Sequence, residues 1–215
     1  MKNEKLVNQI VRRINNDLKR TNKPLIVAIG GCGASGKTHL SLELLNKLGK
    51  KHADILNIDG YYYDRDYRRK LNITGGNINS VKLSLLKKHL INIKKREVFK
   101  VPEEKVNNES LISKNSYFPK RVNIIDGLAS MFKPFIQFYD IIIFIECSDK
   151  TQLKRRIKRD KNKRNLSLNE IKTIFNHRND EFKKYLLPQK RFADFVLYSQ
   201  KDFRLKEVKN PHQDL

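Results

Sequence analysis

The stretch from Leu25 to Thr38 narrows the choice of fold most sharply. An apolar run, Leu25 to Ile29, is followed by glycines, by the pattern G-x-x-x-x-G-K-T between Gly31 and Thr38, and by the amphipathic run HLSLELLNKL. A strand, a glycine-rich loop and a helix in that order distinguish a phosphate-binding loop from a chance match. The stretch therefore predicts a P-loop, and with it a bound nucleotide.

Each residue type of this loop has a role in holding a polyphosphate. Glycines adopt backbone conformations that other residues resist, so that N–H groups can close on phosphate oxygens at the positive end of the following helix. Lys37 can reach the β- and γ-phosphates, and the Thr38 hydroxyl can ligate Mg²⁺. ATP and Mg²⁺ are therefore the expected cofactors. The expected nucleotide-binding residues of the loop are Gly31, Gly33, Ala34, Ser35, Gly36, Lys37 and Thr38.

The chain is strongly basic. It has 46 Lys and Arg against 23 Asp and Glu, a formal net charge of +23. Such a surface suits nucleic acid, because protein cations displace counterions from the phosphate backbone. However, the basic residues are spread almost throughout, without a zinc finger or an RNP-type aromatic motif. A solvated basic surface beside polyphosphate substrates is the favoured interpretation, with nucleic-acid binding and homo-oligomer formation left open.

The sequence also indicates the cellular compartment in which the protein is expected to work. No apolar run approaches the length of a membrane span. The N-terminal residues lack the apolar block and cleavage site of a signal peptide. Cys32 and Cys147 show no motif spacing, so a disulfide framework is not indicated. A reducing, cytoplasmic setting and the absence of a membrane partner are the expectations.

Apolar runs and helical periodicities alternate along the chain, which favours a parallel sheet with helices on both faces. The expected fold is a single α/β domain over residues 1–215. It is a P-loop NTPase of three layers, α/β/α, with a five-stranded, mainly parallel central sheet and the P-loop strand in the middle. The expected strands lie at 25–29, 53–59, 121–126, 141–145 and 193–198, with a small strand or hairpin insertion within 96–120. Also expected are an N-terminal helix within 1–22, a small Arg-rich lid at about 158–168 and a loose tail at 200–215.

Two carboxylates end predicted strands. Asp59 closes the run ADILNID, and Asp126 closes RVNIID. Ligands of open α/β sheets bind at the carboxyl ends of the strands, so both side chains are site candidates. Together with the basic run KRRIKRDKNKR they suit phosphoryl transfer to a small acceptor, which needs a proton acceptor, a metal ligand and cations on the transferred group. The N-K-x-D motif with which GTPases read their base is missing from the sequence.

Five segments, in order along the chain, resemble the uridine kinase and phosphoribulokinase family of P-loop kinases. They are IGGCGASGKT, NIDGYY, VNIIDG, RRIKRDKNKR and LPQKRFADFVL. The resemblance implies that Asp59 is the general base, that Tyr62 contacts the acceptor and that Lys37 holds charge on the γ-phosphate in transit. It also implies that Asp126 holds Mg²⁺ alongside Thr38.

Several arginines are further candidates. The resemblance places Arg155, Arg159 and Arg164 in a lid near the phosphates, and the first two share a helix face because they are four residues apart. Arg178 is a candidate on different grounds, since it falls on the apolar face of its helix, where burial of an unpaired cation is costly. Either an acid pairs with Arg178 or it turns into the active site, toward the substrate.

The chain departs from the family pattern in three places. Asp126 stands where Glu is usual, and Asn165 follows Arg164 in place of Gly. Residues 72–79, NITGGNIN, lack the His and Pro that shape a nucleoside site. A nucleoside, pantothenate, glycerate and a sugar phosphate all stay open as the acceptor.

Three other functions share parts of this pattern. A nucleoside-monophosphate kinase also has a P-loop and a lid, but it would not need Asp59 as a base. A nucleic-acid-binding NTPase would use the basic surface, and a regulatory protein could keep the kinase fold without turnover. The leading expectation is an ATP-dependent phosphotransferase, resembling uridine kinase, that acts on a hydroxyl of a small molecule.

Overall fold

The computed structural model describes residues 3–103, 105–106, 109–110, 116–164 and 166–208, with the backbone alone for 105–106, 109–110 and 162–164. Its helices are α1 (Glu4–Arg20), α2 (Lys37–Leu48), α3 (Arg65–Lys70), α4 (Leu83–Lys95), α5 (Asp149–Arg164) and α6 (Leu168–Tyr185). Its strands are β1 (Leu25–Gly31), β2 (Ala53–Asn57), β3 (Phe99–Lys100), β4 (Lys105–Val106), β5 (Glu109–Ser110), β6 (Ser116–Tyr117), β7 (Val122–Asp126), β8 (Ile141–Glu146), β9 (Phe195–Ser199) and β10 (Leu205–Val208).

Six of these strands form one sheet, in the order β10–β9–β8–β1–β7–β2. Every neighbouring pair is parallel except β9 and β10, which are antiparallel. The expected mainly parallel sheet is confirmed, with the P-loop strand β1 in its interior. All five expected strands are present in this sheet.

The sixth strand, β10, is the difference from the expected sheet. It lies within residues 200–215, so the prediction of a loose tail is wrong for Leu205–Val208. A tight turn returns the chain along β9, with Gln200 N donating to Arg204 O at 2.8 Å. Leu205 N also donates to Asn3 Oδ1 at 2.9 Å. An edge strand of this kind is held by main-chain hydrogen bonds, so it does not need an apolar sequence.

Successive side chains of the sheet pack against different helices. In β1, Leu25, Val27 and Ile29 join the cluster that contains α1 and α2, while Ile26 and Ala28 join the cluster that contains α4. Side chains alternate between the two faces of a strand, and here both faces are covered, so all seven residues of β1 are buried. The expected three-layer arrangement is confirmed.

The helices and the insertion also follow the sequence pattern. α1 buries Val7, Ile10 and Ile14 on one face, and α6 begins with a capping box between Ser167 and Glu170. Within residues 96–120, β3 pairs with β6 and β4 pairs with β5, both antiparallel, as expected for a hairpin insertion. Among the described helices, none combines the length and the apolar character needed to cross a bilayer.

His89 is a titratable group in the core beneath the sheet. Its side chain is 5% exposed, its ring stacks on Phe99 at 4.2 Å between centroids, and its Nδ1 lies 2.6 Å from the Tyr61 hydroxyl. Burial lowers the pKa of His89 from 6.5 to about 4. Between about pH 4 and 6.5, His89 is therefore neutral in the folded protein and protonated in the unfolded chain.

This burial makes the stability of the fold depend on pH. As the pH falls from 6.5 toward 4, the unfolded chain binds a proton that the folded His89 does not, so the free energy of unfolding decreases. We expect a loss of about 2 kcal/mol between about pH 7 and about pH 5, measured by urea unfolding. His89→Gln should remove this dependence, whereas His52→Gln, at an exposed histidine, should retain it. An unchanged pH dependence in His89→Gln would contradict the assignment.

Candidate active site

The carboxyl ends of three adjacent parallel strands meet at one cleft. Asp126, the last residue of β7, pairs in register with Ile29 of β1 on one side and with Asn57 of β2 on the other. Asp59 follows β2 by two residues and begins a 3-10 turn, Asp59–Tyr61. The sheet register therefore places the P-loop, Asp126 and Asp59 side by side, in a cleft of about 640 Å³.

The P-loop takes a conformation that depends on its glycines. Gly31 and Gly36 have φ values of 121° and 102°, in the region that favours glycine. A Cβ atom on Gly31 would lie 1.9 Å from the carbonyl oxygen of Ile145 in β8, and one on Gly33 would lie 1.9 Å from the Arg156 guanidinium. α2 begins directly after Gly36 without a side-chain cap, so its first N–H groups are open to a phosphate.

Lys37 lies at the start of α2, where the loop curls around its side chain. Its Nζ donates to Cys32 O at 2.8 Å and to Gly31 O at 3.3 Å. Burial lowers the pKa of Lys37, while the Cys32 thiol and the carboxylates of Asp126 and Asp59 oppose that fall. A cation that is desolvated in this way is stabilised strongly when an anion such as a phosphate binds beside it.

Asp126 has the properties of a metal ligand. Its side chain is 2% exposed, and within the described part of the chain its Oδ1 has no hydrogen-bond donor. Burial raises the pKa of Asp126, and the neighbouring Thr38 hydroxyl and Lys37 ammonium oppose the rise. A buried carboxylate oxygen without a donor requires a partner, and Mg²⁺ is a hard cation that binds oxygen. The described residues contain no cluster of three or more His, Cys, Asp and Glu, so a metal here would rely on few protein ligands.

Asp59 and Tyr62 form the other side of the cleft. The Asp59 carboxylate is exposed to the cleft, and a Cβ atom on Gly127 would lie 3.8 Å from its Oδ1. The Asp59 main-chain N–H donates to Asn57 Oδ1 at 2.8 Å, which fixes the turn. The Tyr62 hydroxyl donates to Gly75 O at 3.1 Å, and burial, followed by the Asp59 charge, raises the pKa of Tyr62. Both sequence-predicted residues therefore lie together at the end of β2.

The predicted lid arginines have different environments. Arg155 donates to Ala34 O at 2.9 Å and to Ser199 Oγ at 3.1 Å, so it is bonded to the P-loop itself. Arg159 lines the cleft and is paired with Asp160 at 2.7 Å. The backbone of Arg164 ends α5, but its side chain lies outside the described residues, so its role stays a prediction. Arg178 lines the cleft, and its charge acts on Tyr62, so its role in substrate binding stays a prediction.

Two residues that line the cleft were not predicted from the sequence. Arg156 is 4% exposed, with its Nε donating to Gln152 Oε1 at 3.2 Å and its guanidinium against Gly33. Phe203, on the turn between β9 and β10, has its ring 3.7 Å from the Arg155 guanidinium carbon. An isolated aromatic residue in a polar tail is the only signal that could have pointed to Phe203.

The two cysteines also come together beside the P-loop. Both thiols are free and buried, and the Sγ atoms of Cys32 and Cys147 lie 3.5 Å apart. The hydrogen bond with Cys147 lowers the pKa of Cys32 to about 7, with further help from the charges of Lys37 and Arg156. The loop therefore carries a thiol that is unusually acidic for a buried group.

A protein built in this way belongs to the class of P-loop kinases, because the loop, the buried Asp126 and the cleft arginines all suit a nucleoside triphosphate. Residues 26–205 match the model of the phosphoribulokinase / uridine kinase family. The chain belongs to that family, and it is a phosphotransferase with a hydroxyl acceptor.

Individual relatives are similar over most of their length. The chain is 29% identical over 182 residues to a uridine kinase of Proteus mirabilis, covering 80% of this chain and 85% of that one. It is 27% identical over 200 residues to a uridine kinase of Ureaplasma parvum, covering 89% and 91%. Among solved structures, D-glycerate 3-kinase of Cryptococcus neoformans superposes with a TM-score of 0.69 at 13% identity, covering 94% and 99%. At that identity the superposition bears on the fold alone.

Proposed function

We propose that the chain transfers the γ-phosphoryl group of ATP to a hydroxyl of a small molecule, with Asp59 as the general base. The observation that carries this proposal is the position of the Asp59 carboxylate across the cleft from the P-loop, where its charge acts on both Lys37 and Asp126. An exposed carboxylate there can accept a hydroxyl proton at the point where the phosphoryl group is transferred. Its curated relatives are named uridine kinases, so uridine and cytidine are the first acceptors to test.

The chain's own residues supply the other parts of the reaction. The N–H groups at the start of α2 and the Lys37 ammonium bind the β- and γ-phosphates and stabilise charge on the group in transit. Arg159 adds a further cation at the cleft. The lid, formed where α5 meets α6, would exclude water that otherwise hydrolyses ATP.

Thr38 and Asp126 are the residues that would hold Mg²⁺. The buried Oδ1 of Asp126 supports this assignment, as does the Thr38 hydroxyl beside it. When bound, Mg²⁺ neutralises charge on the β- and γ-phosphates. The Oδ1 atom of Asp126, which lacks a hydrogen-bond donor among the described residues, would then have a partner.

Phe203 and Arg155 would form the platform for the adenine base. The Phe203 ring is 41% exposed and lies beside the start of α2, where a Cβ atom on Gly36 would be 3.2 Å away. Aromatic rings and guanidinium planes both stack on bases. We expect Phe203→Ala to raise KM for ATP about tenfold while kcat stays near its original value. Phe203→Tyr is the matched control and should preserve KM, since it keeps the ring, and an equal loss in both variants would contradict this role.

The proposed function is tested by ADP formation in the presence of a panel of acceptors. The panel contains uridine, cytidine, other nucleosides, pantothenate, glycerate and sugar phosphates. ADP formation that depends on one acceptor class supports the proposal. A nucleoside monophosphate as the acceptor, with Asp59 dispensable, would favour a nucleoside-monophosphate kinase instead. ADP formation stimulated only by nucleic acid, with binding that falls steeply with salt, would favour a nucleic-acid-dependent NTPase.

A further inference from the structure

The acceptor end of the cleft contains a guanidinium that has no ion pair among the described residues. Arg68, on α3, is partly buried and lines the same cleft as Asp59 and Tyr62. Within the described residues no carboxylate lies within ion-pair distance of it, and its Nε donates to the carbonyl oxygens of Tyr63 at 3.1 Å and Asp64 at 3.3 Å. Burial lowers the pKa of Arg68, and the charge of Arg65 lowers it further, while the charges of Tyr62, Asp64 and Asp59 oppose that fall.

This guanidinium is held in place by its surroundings. Its central carbon lies 5.6 Å from the centroid of the Tyr62 ring, and a Cβ atom on Gly75 would be 3.8 Å from its Nη1. The Tyr62 hydroxyl donates to Gly75 O, so the ring against which the Arg68 guanidinium lies is itself fixed. A cation that is positioned in this way needs little reorganisation when it binds an anion.

Nearby acids have other partners. The Asp64 carboxylate accepts from Tyr67 N at 2.7 Å as the N-cap of α3. Glu181 accepts from Thr74 N at 3.0 Å and from the Thr74 hydroxyl, which ties the loop around Gly75 to α6. Asp59 is assigned to the acceptor hydroxyl. The charges of Asp64 and Asp59 act on Arg68, but among the described residues neither carboxylate is within ion-pair distance of it.

A second arginine, on α6, lines the cleft on which Arg68 of α3 also borders. Arg178, on α6, lines the cleft, and its charge and that of Arg68 both act on the Tyr62 hydroxyl, in opposition to the charge of Asp59. Tyr62 is thus within electrostatic range of the proposed base and of two guanidinium groups. A small molecule whose hydroxyl is at Asp59 would have its remaining atoms near these two cations.

We propose that the acceptor is an anionic hydroxy compound, whose phosphate or carboxylate group is bound by Arg68 and Arg178 beside Tyr62. This inference rests on the proposed function, because it concerns the acceptor half of the same cleft. Guanidinium groups bind phosphate and carboxylate through paired N–H donors, and a partly desolvated site strengthens that bond. Gly75, which lies within the segment 72–79 that lacks the nucleoside pattern, lines the cleft beside Arg68.

The inference is tested with matched acceptors that differ in charge. The pairs are glycerate and glycerol, pantothenate and pantothenol, and sugar phosphates and their free sugars, all with wild-type protein and ATP. We expect kcat/KM for the anionic member of the accepted pair to exceed that of the neutral member about a hundredfold. Comparison of the carboxylate acceptors with the phosphate acceptors shows which of the two anionic groups the site binds.

Variants then connect the preference to Arg68. Arg68→Gln should raise KM for the anionic acceptor about a hundredfold and leave KM for ATP unchanged. Arg68→Lys keeps the charge and should recover part of the loss, which separates charge from folding. Arg69→Gln is the matched control, because Arg69 is 80% exposed and pairs only with the exposed Asp66 at 3.3 Å among the described residues, and it should behave as wild type.

The outcomes distinguish this inference from the proposed function. Turnover of neutral acceptors with equal or greater kcat/KM would overturn the inference and leave the kinase assignment intact. An Arg68→Gln variant with unchanged KM for an anionic acceptor would also overturn it. ADP formation that depends on no acceptor in either charge class would count against the proposed function, and the inference would fall with it.

Discussion

Asp59→Asn is expected to lower kcat about a thousandfold while the affinity for ATP is preserved. The amide has the same shape as the carboxylate but cannot accept the hydroxyl proton. The change also removes a negative charge that acts on Lys37, and this favours, if anything, the binding of phosphate. Steady-state kinetics with a saturating acceptor gives kcat, and calorimetric titration gives the dissociation constant of ATP.

A neighbouring acid provides the control for this experiment. Asp64→Asn removes an exposed carboxylate of the same cleft that caps α3, and it should leave kcat close to that of wild type. Unchanged turnover in Asp59→Asn would remove the general base from the account. Equal losses in the two variants would indicate a general effect of charge in the cleft instead of proton transfer.

Lys37→Met is expected to lower kcat/KM for ATP by about a hundredfold to a thousandfold without lowering the melting temperature. The ammonium stabilises charge on the phosphates, but in the protein alone its burial carries a cost, which the lowered pKa of Lys37 reflects. Methionine keeps most of the side-chain volume and removes the charge. Kinetics and thermal unfolding of the same preparation therefore report two separate effects.

The matched control for this variant is Lys50→Met, at an exposed lysine just after α2. It should leave both turnover and melting temperature unchanged. If Lys37→Met retained full activity, the P-loop would not have the role assigned to it. A marked fall in melting temperature would show that the carbonyl oxygens of Cys32 and Gly31 depend on the ammonium for their hydrogen bonds.

Much of the fold and part of the site follow from local patterns in the sequence. The buried strands are runs of β-branched and aliphatic residues, and β1 shows this at every position. Because carboxyl ends of parallel strands meet at one edge, the strand-end rule located both Asp59 and Asp126. The cost of burying a cation pointed to Arg178, which the structure places in the cleft.

The other features of the site depend on which helices and strands become neighbours in the fold, and no local sequence pattern contains that information. Cys32 and Cys147 meet because β1 pairs with β8, with Gly31 opposite Ile145 in register. Arg156 is buried although it belongs to a basic run that is typical of a solvated helix face. Phe203 reaches Arg155 only because β10 turns back along β9.

We expect the γ-phosphoryl group to move from ATP to the oxygen of an acceptor hydroxyl. The direct test uses ATP with ¹⁸O in the non-bridging oxygens of the γ-phosphate, together with the acceptor that supports ADP formation, and mass spectrometry of the products. We expect a phosphorylated acceptor that carries the labelled oxygens and keeps its own hydroxyl oxygen as the bridge, and we expect its formation to be nearly lost in Asp59→Asn. Label found only in inorganic phosphate, at the same rate with and without acceptor, would contradict the account.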